Sequence, residues 1–195
     1  DPNYGAALGK ISDIRDGKKT RSSSNSGVSG GKLRNGLAVP VKGYGYEFVH
    51  SERGTNFATD EMGLGLMHMA ADFQKNNDGH PGLRFGDASD HNGGQLGGHK
   101  SHQNGRDVDI IFLATDAKGR SVPNARFTDF NAKGVSGGGL RFDEKRNWEL
   151  VKSMLENPYF GREVQFIFID ESLKRRLLKT AKADYEAASG EEKTR

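Results

Sequence analysis

The sequence predicts an α+β fold: a small, mainly antiparallel sheet with helices packed on one side and a metal half-site on its open face. Three observations predict it. Apolar runs of strand length alternate with turns rich in glycine, of which the 195-residue chain has 27. Longer stretches instead repeat apolar residues at three- and four-residue spacing, the pattern of amphipathic helices. Finally, a histidine stands seven residues ahead of an aspartate where a glycine-rich loop leads into an alternating segment.

Taken in order, residues 1–36 read as a flexible arm. Ser22-Ser23-Ser24-Asn25-Ser26-Gly27 and Ser29-Gly30-Gly31 offer too little apolar surface to offset the entropy of ordering. The folded domain is therefore expected over residues 37–188. Residues 44–49 read as a short strand ahead of the polar turn Ser51-Glu52-Arg53-Gly54. Thr59 or Asp60 then caps a helix running to Gln74, with Met62, Leu66, Met69, Ala70 and Phe73 on one buried face. His68 falls inside this pattern with nothing at ligand spacing around it, which favours a structural histidine over a metal ligand. Leu83-Arg84-Phe85-Gly86-Asp87 reads as a strand, followed by a long loop over residues 88–98.

Residues 120–139 read as an irregular excursion, and residues 144–156 as a helix with Trp148, Val151 and Leu155 in an apolar stripe. Trp148 is expected in the core rather than as a platform for a ligand. Asn157-Pro158 stops this helix, because proline has no amide proton to give. Residues 164–169 are nearly all apolar, as befits a central strand. Asp170 or Ser172 caps the last helix, whose Leu173, Leu177, Leu178, Ala181, Tyr185 and Ala188 form one face expected to dock on the sheet. The polar tail, residues 189–195, is expected to fray.

The chemistry concentrates in residues 99–109. Imidazole nitrogens and carboxylate oxygens are ligands for divalent metals, zinc above all. In Asp107-Val108-Asp109-Ile110-Ile111-Phe112, alternation puts Asp107, Asp109 and Ile111 on one side and Val108, Ile110 and Phe112 on the other. Gly105 permits a tight turn that brings His102 beside Asp109. This is half a site, since a catalytic zinc takes three protein ligands and keeps one position open. The six histidines are His50, His68, His80, His91, His99 and His102; there is no cysteine, so neither residue type follows the motif. By spacing alone the same residues also fit an ordinary half-exposed strand. Asp107 either orients a ligand from behind or caps the loop. His91, in the long loop, is a substrate contact, a supporting group or a plain solvent-exposed histidine.

Composition sets the outer bounds. A formal net charge of +3 and a pI near 9.0 favour contact with an anionic polymer such as the bacterial cell wall. Nucleic acid is not expected as a partner. The chain has no zinc-finger spacing, no aromatic RNA-binding signature and no long basic block, and Lys174-Arg175-Arg176 fits the solvated face of a helix. No run of eighteen apolar residues exists to span a membrane. The first residue is Asp1, which fits a mature, processed N-terminus, and the lack of cysteine fits a periplasmic or secreted protein that needs no disulfides.

Gly97-Gly98-His99-Lys100-Ser101-His102-Gln103-Asn104-Gly105-Arg106-Asp107-Val108-Asp109 resembles the signature of the penicillin-insensitive murein endopeptidases, part of the lysostaphin, D-Ala-D-Ala metallopeptidase and hedgehog group. Glu52-Arg53-Gly54-Thr55-Asn56-Phe57 and Arg141-Phe142-Asp143 with Arg146-Asn147-Trp148 resemble further family segments, so the likeness spans residues 36–180. The resemblance implies the same α+β fold and a Zn2+ ion held by His102 and Asp109. It also implies an added active-site histidine at His99; beside it, Ser101, Asp107 and His91 are read as candidate supporting or substrate-contacting groups. The implied reaction is hydrolysis of the D-alanyl to meso-diaminopimelyl cross-link between peptidoglycan stem peptides. No serine acyl-enzyme forms for a β-lactam to trap.

In the family the third zinc ligand is the second histidine of a C-terminal His-x-His, which is absent here. Three accounts fit. The chain is truncated or processed before that segment, which is lost or kept as a separate C-terminal fragment; a second chain supplies the histidines; or the protein is a zinc-free relative that binds the cell wall without cutting it. The intact half-site favours the first.

Overall fold

The computed structural model describes residues 2–124 and 126–192. Its centre is helix α2 (Asp60–Asn76), whose N-terminus is capped by the Thr59 hydroxyl, accepting from the Met62 amide at 3.3 Å, while Asp60 and Glu61 oppose the helix dipole. Leu66, Met69, Ala70 and Phe73 are buried as expected, but so are Gly63, Leu64, Gly65, Met67 and Ala71. A single apolar stripe underestimates this helix because it is covered on more than one flank, by α1 (Pro2–Gly17) and by α3 (Glu144–Leu155). Gly65 is a point of close approach. A Cβ there would lie 1.9 Å from the ring of Phe160.

The sheet structure is mostly antiparallel, as predicted, but is divided among several small sheets. β3 (Leu37–Ala38) pairs with β6 (Phe57–Ala58), and β4 (Lys42–Gly43) with β5 (Tyr46–Phe48). The parallel exception joins β5 to β7 (Leu83–Phe85), with Tyr46 opposite Leu83 and Phe48 opposite Phe85. The Tyr46 and Phe85 rings stack at 5.3 Å, and Phe48 meets Phe85 edge-on at 5.4 Å. This aromatic set packs with α2 in the main core. A smaller core forms where β8 (Ala114–Thr115), flanked by β9 (Ser121–Val122) and β10 (Arg141–Phe142), meets α3 and α4 (Glu171–Glu192). Asn147 stitches the two regions together: its amide group donates to the Leu113 carbonyl and accepts from the Leu113 amide, as a neighbouring strand would.

Four expectations need correction. Residues 1–36 are not a flexible arm: α1 docks on α2 through Ile11, 4% exposed, and Tyr4 donates to Asp72 at 2.6 Å. The serine-rich stretch forms a hairpin of β1 (Ser23–Asn25) and β2 (Lys32–Arg34), with Leu33 fully buried. Docking onto the rest of the domain supplies the burial this stretch lacks by itself. Residues 164–169 form no strand, because no described strand lies alongside to receive their backbone groups, and Phe168 is 89% exposed.

The helix faces differ as well. α3 buries Asn147 and Leu150, leaving Trp148 and Val151 at the margin of the smaller core and Leu155 exposed. α4, preceded by Asp170, whose carboxylate accepts from the Ser172 amide at 2.8 Å, docks through Leu173 and Leu177, while Leu178 and Tyr185 face outward. α4 continues over residues 189–192 of the expected tail; residues 193–195 lie outside the described residues. No helix among the described residues is long and apolar enough to cross a membrane.

Candidate metal centre

The segment after the histidine motif runs beside the end of β7. Phe85 and Ile110 form an antiparallel bridge, the Gly86 amide donates to the Asp109 carbonyl at 2.8 Å, and the Asp109 amide donates to the Asp87 carbonyl at 3.0 Å. Gly86 makes this approach possible, since a Cβ there would lie 2.9 Å from the Cβ of Asp109. The pairing sets Asp109 next to the chain that carries Asp87. Ile111, expected to share an open face with Asp109, is buried. The group has a buried and a more open side: the His102 side chain is 5% exposed and that of Asp109 37%.

His102 sits at the bottom, 4% exposed. Its φ of +64° is in the left-handed region, uncommon for a residue other than glycine, and side-chain contacts hold it there. Its amide donates to Asp107 Oδ2 at 3.1 Å, and ring Nδ1 lies 3.0 Å from the same oxygen. Nε2 lies 3.2 Å from Asp109 Oδ2. Asp107 thus bonds the loop backbone and flanks the imidazole. Burial disfavours the charged ring, but the hydrogen bonds and charges of Asp107 and Asp109 outweigh it and lift the His102 pKa to about 10.

The hairpin of β1 and β2 forms the other wall. Asn104, wholly buried, donates to the Ser26 carbonyl at 3.1 Å and accepts from the Arg106 amide at 3.2 Å, while the Gln103 amide donates to the Val28 carbonyl. Gly105 lies against β6, its carbonyl accepting from the Thr59 amide at 2.9 Å. The turn that the glycine was expected to allow is clamped from two sides.

His99 joins this group. Its ring meets that of His102 edge-on at 5.3 Å, and His99, His102 and Asp109 each offer a ligand atom, all within 4.8 Å of one another. Two imidazoles and one carboxylate match the donors that zinc takes in catalytic sites, so the residues present fit the ion. The third donor that the sequence after the motif does not provide is in reach from the loop before it.

The remaining sequence candidates lie elsewhere or on the rim. His91 is exposed and edge-on to Phe57 at 5.1 Å, outside the three-residue group. Ser101 is half-buried in the turn between the two histidines. His68 pairs with Asp72 at 3.0 Å and rests on Tyr159, a structural role.

Sequence reasoning passed over Asp87, which is 1% exposed, accepts from the Thr55 hydroxyl, pairs with Arg53 at 2.9 Å and faces His99 Nε2 at 3.4 Å. A lone carboxylate just after the strand Leu83-Arg84-Phe85 was the available signal.

Residues 25–188 match the model of the penicillin-insensitive murein endopeptidases. The chain belongs to this family. No curated protein matches it. The family match begins at Asn25, inside the β1–β2 hairpin, so the segment that walls the His102 loop is part of what this murein endopeptidase shares with its family. It ends at Ala188, within α4.

Proposed function

We propose that this murein endopeptidase is a zinc-dependent D,D-endopeptidase that hydrolyses D-alanyl to meso-diaminopimelyl cross-links of peptidoglycan, acting in the periplasm or outside the cell. The observation that carries the reading is the convergence of His99, His102 and Asp109 in a chain of this family. His102 and Asp109 hold the metal, and Asp107 holds His102. In the chain as given, His99 completes the donor set; where a C-terminal fragment or second chain brings a further histidine, His99 is released to act on the substrate. A bound zinc polarises a scissile carbonyl and acidifies its water. The protein's own contribution is to set His102 and Asp109 side by side, 3.2 Å apart, before any substrate arrives.

The test is zinc content by elemental mass spectrometry after exchange into metal-free buffer, together with mass-spectrometric assay of purified muropeptide dimers. The expected result is about one zinc per chain, lost in His102→Ala and Asp109→Ala along with cleavage. Peptidoglycan binding that needs no metal and ignores both substitutions would instead identify a cell-wall binding module.

A further inference from the structure

Asp87 is a carboxylate only 1% exposed. Taking a carboxylate out of water costs several kcal/mol unless its oxygens are satisfied, and here both are used. Oδ1 accepts from the Thr55 hydroxyl, while Oδ2 pairs with Arg53 Nη1 at 2.9 Å and lies 3.4 Å from His99 Nε2. The backbone makes this meeting obligatory. The Thr55 carbonyl accepts from the amides of Ala88 and Ser89, which draws the Arg53–Thr55 stretch alongside Asp87, and the Asp87 carbonyl accepts from the Asp109 amide. One residue thus touches one member of the metal-binding group through its side chain and another through its main chain.

We propose that Asp87 is the positioning residue of this centre: it accepts the Nε2–H of His99, fixes the ring in that tautomer, and leaves Nδ1 as its single lone pair for a metal or a substrate proton. Arg53 supplies the matching positive charge from the other side and Thr55 fixes the carboxylate's rotation. A neutral imidazole has one donor and one acceptor nitrogen, and the partner of the first decides the use of the second. The effect on catalysis rests on the zinc reading above; the tautomer does not.

The tautomer is read directly in the metal-free, full-length chain by two-bond nitrogen–proton correlation spectra of isotope-labelled histidine at about pH 8.5, above the usual imidazole range. His99 signals are identified by their loss in His99→Gln. The unmodified protein is expected to show an Nε2–H ring at His99. Asp87→Asn, whose amide can donate to Nε2, is expected to move the ring toward Nδ1–H. Any ring other than Nε2–H in the unmodified protein, or an unchanged His99 in a folded Asp87→Asn protein, overturns the proposal. If Asp87→Asn does not fold, Thr55→Val and Arg53→Lys, each loosening one hold on the carboxylate, must shift the tautomer in the same direction.

In zinc-loaded protein, Asp87→Asn is expected to lower zinc affinity or kcat by about 10- to 100-fold with KM little changed, a split that general destabilisation does not produce. Absence of zinc from the unmodified chain would sink the zinc reading while leaving the tautomer result standing, so the two failures are separable.

Discussion

Residues 22–34 and residues 164–169 occupy each other's expected places. The first stretch, mostly serine and glycine, is held at many points. Ser22 exchanges hydrogen bonds with Asp60 at 2.8 Å in both directions, the Leu33 amide donates to the Asn92 carbonyl, and Ser26 accepts from Asn104. The second, almost entirely apolar, touches the cores only through its ends, Val164 and Ile169, and holds Phe166 and Phe168 in the open, stacked on one another at 5.9 Å. The difference teaches that order follows partners more than composition. Polar backbone finds partners wherever loops converge, whereas an apolar run becomes a strand only beside another strand that takes up its amides and carbonyls.

Mutations should separate the two stretches sharply. Leu33→Ala is expected to have the largest effect, a loss of about 3 kcal/mol in denaturant unfolding, accompanied by weaker zinc binding because the wall of the His102 loop loosens. Unchanged zinc affinity in a destabilised Leu33→Ala protein would show that hairpin and metal loop are independent.

A pH series sharpens the same contrast in the metal-free chain. The folded His102 pKa, raised to about 10, lies above the usual value, so its contribution to stability is fully present below the unfolded pKa of about 6.5 and is lost as pH rises through 10. Protease cleavage within the His102 loop is therefore expected to increase from neutral to alkaline pH, and His102→Gln to flatten that trend, with residues 164–169 equally accessible throughout. At pH near 7, zinc binding must expel this proton. Its calorimetric heat should then depend on the buffer's ionisation enthalpy, and a buffer-independent heat would contradict a protonated His102.

Asn104→Ala comes next, at about 1–3 kcal/mol, since it strands the Ser26 carbonyl and the Arg106 amide in a buried place. Phe168→Ser is expected to be smallest, within about 0.5 kcal/mol. A large destabilisation there would mean that Phe168 packs against something after all.

Much of the candidate site was legible in one dimension. The seven-residue step from His102 to Asp109, with Gly105 between, is a local geometric instruction, and Asp107 beside it touches both the loop backbone and the imidazole. His99 was legible as a group belonging to the same site, but its place within 4.8 Å of the other two ligand atoms was not, because that depends on how the loop closes. Asp87, Arg53 and Thr55 were out of sight for a different reason. They come from the ends of separate segments, and only the pairing of residues 55–57 with residues 87–89 makes them neighbours.

By itself the sequence determined the α+β class, the positions of α2, α3 and α4, and their capping regions to within two residues, and it placed His102 and Asp109 within reach of one another, because periodicity, capping and short-range spacing are all decided within a turn or two of chain. Tertiary structure alone decided that α1 and the serine-rich hairpin are ordered, that residues 164–169 are not a strand, and that Asp87 lies behind His99. Each of those depends on which distant segment comes to lie alongside, and hydrogen-bond partners and buried area across such contacts are not written in any local pattern.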